Sequence, residues 1–285
     1  MTNGVVIIAH NNRQVDYARM ALISGGFAKK NLKVPVSLIT DESTVQWMHE
    51  SKIYEKASNI FEKIILVDRP VIDNHRVLYD GTEVDNVPFI NSNRFSAYDL
   101  SPYDRTLLID SDFMIMSDNL NNYWNVDEDV LISESINDIQ GNRIGVLDKW
   151  TSETGVHLYW ATAVLFSKSE KSKLFFDLVK FIKENYKYYA DLFRFKSAQY
   201  RNDISFSIAK HILDGFEKSN MSLPPLLTIQ DKDIIEKIDD GKLIVCIKNL
   251  NDPDSFYLGS IKNQDVHIMN KQSIIRCYDQ FERLL

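Results

Sequence analysis

Short unbroken apolar runs recur along the first half of the chain: "GVVIIA" at 4–9, "VPVSLIT" at 34–40, "EKIILVD" at 62–68 and "RTLLIDSD" at 105–112. Runs of this length, rich in Val, Ile and Leu, suit strands buried on both faces, as in a parallel sheet covered by helices. Between the first two, "VDYARMALISGGFAKK" repeats apolar residues at helical spacing, with an interruption at Gly25 and Gly26. Strands alternating with helical stretches predict βαβ units, hence an α/β fold with a mostly parallel central sheet flanked by helices. The second strand runs out at Asp41 and the third at Asp68. Ligands of such sheets lie outside the carboxyl ends of the strands, so polar residues just past each run are the first candidates for chemistry.

Residues 69–89 break the pattern. Pro70, Gly81 and Pro88 punctuate them, which predicts a long irregular connection, and a loop of that length in a compact domain is often functional. "NSNRFSAYDL" predicts a short helix leading to Pro102. The second half reads as a strand "HLYWATAVLFS", a long helix from Lys171 to Ala190, another from Asp203 to Leu213, short strands, and a terminal helix from Gln272. With no repeat, low-complexity tract or Pro/Gly/Ser linker, residues 1–285 are expected to form a single domain.

Composition narrows the class. An apolar fraction of 44% and a charged fraction of 26% belong to an ordinary soluble globular protein. No apolar run reaches the length of a membrane span, and "MTNGVVIIAH" lacks the basic start and long apolar core of a signal peptide. The expectation is a cytoplasmic protein, in the host cytoplasm if the source is viral, with no membrane partner. Cys246 and Cys277 fit neither a zinc spacing nor a disulfide framework and are expected as buried thiols.

Aspartate is the residue with the most to say. Four Asp-x-Asp triplets occur: Asp110/Asp112, Asp127/Asp129, Asp231/Asp233 and Asp252/Asp254. The 27 aspartates scattered at random would give roughly 2.5, so a triplet alone decides nothing. Context singles out the first, which ends the run Leu107, Leu108, Ile109. Strand alternation would send both side chains to the same side of the sheet. Hard carboxylate oxygens suit Mg²⁺ or Mn²⁺, which keep positions open for the oxygens of a phosphate. The competing reading is a solvated turn.

Arg94, Pro102, the run "LLIDSD", Asp118, Leu120 and Trp124 together resemble the central block of family 8 glycosyltransferases, which have the Rossmann-like GT-A fold. The resemblance implies a nucleotide-binding half over 1–125 and an acceptor and sugar half over 126–285. "IIAHNN" resembles the family's first strand and nucleotide-binding turn, although Asn11 stands where the family often has an acidic residue. "YWATAVLF" resembles the strand lining the sugar pocket, with Thr162 and Ala163 in place of the usual asparagine-glycine pair. "YRNDISFS" resembles the segment whose aspartate lies beside the donor sugar, and "DVHIMNK" the motif whose histidine completes the metal site and whose lysine binds diphosphate. The lysine comes two residues early. On "SLITD", "YDLSPYD" and "DVHIMNK" the chain also resembles GT-A-like proteins of T-even-type bacteriophages, among them an arabinosyltransferase acting on hydroxymethylcytosine in viral DNA.

These resemblances imply a metal-dependent enzyme that moves a sugar, arabinose or glucose, from a UDP-linked donor to an acceptor hydroxyl. Asp110, Asp112 and His267 would hold Mn²⁺ or Mg²⁺. Ala9, His10, Asn11, Asp41, Arg94, Ser111 and Lys271 would bind the donor, Arg94 and Lys271 through its phosphates. Asp41 could equally cap the helix "ESTVQWMHE". Asp203, with Asn202 and Arg94, would serve catalysis, the aspartate orienting the acceptor or stabilising positive charge at the anomeric carbon.

The formal net charge of −7 hides an asymmetry: residues 168–201 carry nine Lys or Arg and four Asp or Glu. Aromatics interleave there, as in "ENYKYYADLFRFKSAQYR", which suits stacking and backbone contacts to double-stranded DNA. Lys183, Lys187, Arg194, Lys196 and Arg201 would make those contacts. An amphipathic helix with a solvated lysine face explains the same letters. A nucleotidyltransferase would need a glycine-rich turn after the first strand, which "IIAHNNRQ" lacks. A nucleic-acid-binding module on a degenerate GT-A scaffold would not need Asp110, Asp112 and His267.

Overall fold

The structure is a computed structural model that describes residues 1–12, 14–71, 74–80, 83–140, 144–145, 148–195, 199–217, 221–249, 252 and 255–285. Gly81, Lys196 and Asp254, invoked above, lie outside the described residues. In chain order the strands of the first half are β1 Asn3–Ile8, β2 Val36–Thr40, β3 Lys63–Leu66, β4 Asn74–Asp80, β5 Glu83–Phe89, β6 Arg105–Ile109, β7 Phe113–Met114, β8 Val130–Ser133 and β9 Ile136–Asp138. Those of the second half are β10 Trp160–Ser167, β11 Leu226–Ile229, β12 Ile234–Asp239, β13 Lys242–Lys248, β14 Phe256–Lys262 and β15 Val266–Ile268. The helices are α1 Tyr17–Leu32, α2 Glu42–Glu50, α3 Tyr54–Ile60, α4 Ala97–Leu100, α5 Glu170–Glu184, α6 Tyr186–Phe193, α7 Asn202–Leu213, α8 Lys271–Arg276 and α9 Tyr278–Glu282.

The architecture is α/β, with a central sheet in the order β3-β2-β1-β6-β10-β8. β3, β2, β1 and β6 are parallel neighbours, and β10 runs antiparallel between β6 and β8. Every residue of β2, β6 and β8 is buried, which is why each carries adjacent apolar residues, such as Leu38 and Ile39 or Leu107 to Ile109, rather than a strict alternation. A second sheet, β7-β15-β11-β9, starts three residues after β6 ends. β15 pairs antiparallel with β7 and sets His267 opposite Phe113. That pairing carries a residue from near the end of the chain to the carboxyl edge of the central sheet.

Four local expectations are corrected. Within residues 69–89, 74–80 and 83–89 are not irregular: β4 and β5 pair antiparallel from Asn74↔Phe89 to Asp80↔Glu83. Four of the seven β5 residues are exposed, so the segment never shows the apolar run that marks the buried strands. The fourth strand stops at Ile109, and Asp110–Asp112 form a turn closed by Phe113 N–H donating to the Asp110 carbonyl at 3.2 Å. Strand alternation is therefore not what aims the two carboxylates. The long helix is two, α5 ending at Glu184 and α6 beginning at Tyr186. Gly25 and Gly26 do not interrupt α1; a Cβ on Gly25 would meet the Phe61 ring at 2.7 Å and one on Gly26 the Leu285 side chain at 2.5 Å. Cys277 is buried as expected, whereas Cys246 is partly exposed. Among the described residues no helix is long and apolar enough to cross a membrane.

Candidate active site

Two turns and two helix starts meet at the carboxyl edge of β6. The turn after β6 is pinned from both sides: Asp110 N–H donates to the Thr162 carbonyl at 2.9 Å, and Ile268 N–H to the Asp112 carbonyl at 2.9 Å. The first bond ties the turn to β10 and the second to β15. Asp112 is buried at 4% exposure, whereas the Asp110 side chain is 34% exposed.

His267 Nε2 lies 3.5 Å from Asp112 Oδ1. One ligand atom each from Asp110, Asp112 and His267 lies within 4.8 Å of the others. Lys271, the first residue of α8, pairs its ammonium with Asp112 Oδ2. Burial opposes the charged form of Asp112, but Lys271 and His267 outweigh it and hold the carboxyl well below its usual range. Burial and the neighbouring Asp112 charge push Asp110 the other way, although Arg94 opposes them. Two carboxylates and an imidazole this close are a donor set that suits Mn²⁺ and can take Mg²⁺. Buried charges of one sign are expected to be paired or to coordinate metal, so the residues fit the ion that the sequence implies.

Arg94 is 3% exposed, pairs with Asp110 and donates to the Ala161 carbonyl at 2.6 Å. It therefore acts as a strut under the aspartate turn. Asp203, in the first turn of α7, accepts from Ala161 N–H at 3.0 Å and pairs with Arg201 at 3.3 Å. Asn202 donates to the Asn91 carbonyl at 3.2 Å, and its buried Oδ1 finds no partner among the described residues. A cleft of about 970 Å³, counted to its open mouth, gathers Asp110, Ser111, Asp112, Arg94, Asn202, Asp203, His267 and Lys271.

The remaining donor-binding candidates lie beside this cleft and turn inward. Ala9, His10, Asn11 and Asp41 are all at most 6% exposed. Asp41 caps α2, accepting from Thr44 N–H at 3.1 Å. The same carboxylate accepts from His10 Nδ1 at 2.8 Å, Thr44 Oγ1 at 3.0 Å, Arg69 at 3.1 Å and the Ser43 hydroxyl. Burial works against its charge, yet these donors hold its pKa well below the usual carboxylate range. Asn11 accepts from Ala18 N–H, in the first turn of α1, at 2.9 Å, while Asp16 caps that helix.

No family model matches the chain, and no curated protein does. Among solved structures, the apo-form glycosyltransferase GlyE of Streptococcus pneumoniae TIGR4 matches at 13% identity and a TM-score of 0.40, over 75% of this chain and 43% of that one. The galactosyltransferase LgtC, solved with donor and acceptor sugar analogues, matches at 14% identity and a TM-score of 0.45, over 73% of this chain and 70% of that one. PaToxG glycosyltransferase matches at 12% identity and a TM-score of 0.39, over 74% and 69%. Likenesses at such scores have no bearing on activity, which the residues of the cleft must decide.

The cleft also holds residues that the sequence did not single out: Tyr17, Arg76, Tyr79, Asn91, Trp160 and Asp231. Asp231 belongs to a triplet indistinguishable from chance, and its partner Asp233 is buried, accepting from Gln230 N–H and Lys248 N–H at 3.0 Å each. Among the described residues of the basic segment 168–201, the cations do not all face solvent. Lys183 bonds Ser92 at 2.8 Å and lies over the Phe95 and Tyr200 rings, and Arg201 turns into the cleft. Lys187 and Arg194 stay exposed. Tyr186 packs against Phe195 and Tyr200, and Tyr189 is buried, so these aromatics serve packing.

Proposed function

We propose that the chain is a metal-dependent glycosyltransferase that takes a sugar from a nucleoside diphosphate donor, UDP-linked by its sequence resemblance. The observation that carries this reading is the convergence of Asp110 and Asp112, from the turn after β6, and His267, from β15, on one point in a cleft lined by Arg94, Lys271 and Asp203. Held by that triad, Mn²⁺ or Mg²⁺ would neutralise the departing diphosphate. Lys271 has three N–H donors, so it can keep Asp112 and still reach phosphate oxygens at the mouth of the cleft. Arg94 fixes Asp110 from below and leaves its exposed oxygen facing the ligand. Asn202 offers its unpartnered Oδ1 to a sugar hydroxyl, and Asp203, locked by the Ala161 amide, stabilises positive charge developing at the anomeric carbon. Asp41, His10 and Asn11 shape the donor turn from behind.

For the acceptor, the sequence resemblance supports 5-hydroxymethylcytosine in double-stranded DNA, presented after the base leaves the stack. Exposed Lys187 and Arg194 would supply phosphate contacts. A donor-hydrolysis screen over UDP-, GDP- and ADP-linked sugars with Mn²⁺, including UDP-arabinose and UDP-glucose, tests the enzyme reading. Slow hydrolysis of one donor identifies base and sugar together, and a protein that cleaves none of them contradicts it. Transfer to a glycan or protein, with none to hydroxymethylcytosine DNA, would keep the enzyme and replace the acceptor.

A further inference from the structure

The cleft sets four cations, Arg76, Arg94, Arg201 and Lys271, against four carboxylates, Asp110, Asp112, Asp203 and Asp231, and three of the cations are paired. Arg94 pairs with Asp110, Lys271 with Asp112 and Arg201 with Asp203. Arg76, on β4, lines the same cleft and pairs with no carboxylate among the described residues. Its guanidinium lies 3.9 Å from the centre of the Phe89 ring on β5. Stacking on an aromatic ring uses the face of a guanidinium and leaves its fork of N–H donors free.

Tyr17, at the start of α1, is an independent sign. It is 3% exposed and lines the cleft, and its buried hydroxyl has no hydrogen-bond partner among the described residues. Buried hydroxyls are nearly always satisfied, so one left open beside a cleft is a donor free for whatever fills the cleft. The charges of Arg76 and Lys271 both reach Tyr17, as do those of Asp112 and Asp110, and on Lys271 the attraction of Asp112 outweighs the like charge of Arg76. Two cations and an unsatisfied donor, delivered by α1, β4 and α8, thus surround one volume. An anion there pairs with the unengaged guanidinium of Arg76 and accepts from all three groups. A phosphate, with more oxygens and more charge than a carboxylate, can accept from all three groups at once.

We propose that Arg76, Tyr17 and Lys271 form a phosphate subsite on the hairpin side of the cleft. The source of the phosphate rests on the function proposed above: it is either the donor's diphosphate or a phosphate carried by the acceptor. Calorimetric titrations of wild type, Arg76→Ala, Arg76→Lys and Tyr17→Phe test it, with thermal melts to confirm folding. Tyr17→Phe keeps the ring and removes only the oxygen. The probes are magnesium pyrophosphate, UDP, uridine, and inorganic phosphate added to UDP-saturated protein.

If the donor's diphosphate fills the subsite, Arg76→Ala weakens pyrophosphate and UDP by about tenfold or more and leaves uridine unchanged. Arg76→Lys recovers part of the loss, and Tyr17→Phe costs about threefold. If an acceptor phosphate fills it, UDP binding holds and Arg76→Ala abolishes phosphate binding to the UDP-saturated protein. Equal binding of every probe in wild type, Arg76→Ala and Tyr17→Phe, or no binding of pyrophosphate and phosphate by wild type, overturns the subsite. Pyrophosphate binding through Arg76 in a protein that takes no nucleotide would keep the subsite and end the glycosyltransferase reading. Donor hydrolysis by wild type, with pyrophosphate and phosphate binding unchanged in the variants, would do the reverse.

Discussion

Asp41 and Asp112 occupy corresponding places, each within three residues of the end of a central parallel strand and each nearly inaccessible. They differ in what surrounds them. The Asp41 carboxylate has four lone-pair positions and receives five donors from His10, Ser43, Thr44 and Arg69, so nothing is left for a ligand. Asp112 faces one ammonium and one imidazole at the wall of an open cleft, with partly exposed Asp110 beside it. A carboxylate saturated by the protein holds the fold; one met by a single ammonium and an imidazole beside a cavity has lone pairs left for a metal.

Replacing the open carboxylate should have the largest effect. Asp112→Asn should lower donor turnover by about 1,000-fold, since the charge facing the metal site is lost. It also strands Lys271, costing about 3 kcal/mol of stability, which urea titration would read. Adding Lys271→Met should restore much of that stability without restoring turnover. Full recovery of both would make the pair structural and erase the contrast with Asp41. Next in size, His267→Ala should weaken Mn²⁺ binding by about 10- to 100-fold in calorimetry, by analogy with the loss of metal-site partners. Unchanged metal affinity would remove the imidazole from the site.

The saturated carboxylate should behave in the opposite sense. Asp41→Asn should cost about 1–3 kcal/mol of stability at pH 7 while turnover changes by less than about threefold. Folding lowers the Asp41 pKa, so its contribution is fully present above the ordinary value of 3.8 and is lost as the pH falls below it. The stability gap between wild type and Asp41→Asn should therefore begin to narrow near pH 4 and go on narrowing as the pH falls further. A gap independent of pH would show that the carboxylate charge is not what holds the cluster. Smallest of all, Lys187→Ala with Arg194→Ala should leave donor hydrolysis unchanged and weaken DNA binding by about threefold, with a shallower salt dependence. A larger loss would restore segment 168–201 as a coherent surface.

The sequence carried the architecture well where burial is complete. The unbroken runs of β1, β2 and β6 could belong only to a sheet covered on both faces, and Asp110 and Asp112 followed from where one run stops. It misjudged β4 and β5, whose exposed positions are mostly polar and whose pairing is invisible without the partner strand. Tyr17 and Arg76 escaped for a related reason: nothing near Tyr17 in the chain marks it apart from any helical tyrosine, and Arg76 faces Phe89 only across a hairpin turn. The charge of segment 168–201 was read correctly as composition, but α5 and α6 send Lys183 inward and leave Lys187 outside. Residues that are neighbours in sequence diverged there, while Asp112 and His267 met through the pairing of β7 with β15.

The most direct test of the account is whether nucleoside diphosphate binding depends on metal through the open carboxylates. UDP, GDP and ADP would be titrated calorimetrically into wild type with Mn²⁺, into wild type with excess chelator, and into Asp112→Asn with Mn²⁺. One diphosphate should bind wild type with Mn²⁺, and both chelator and the substitution should weaken it by about tenfold or more. Binding of equal strength in all three samples, or none in a folded wild-type protein, would contradict the assignment of Asp110, Asp112 and His267 as a metal site for a nucleotide sugar.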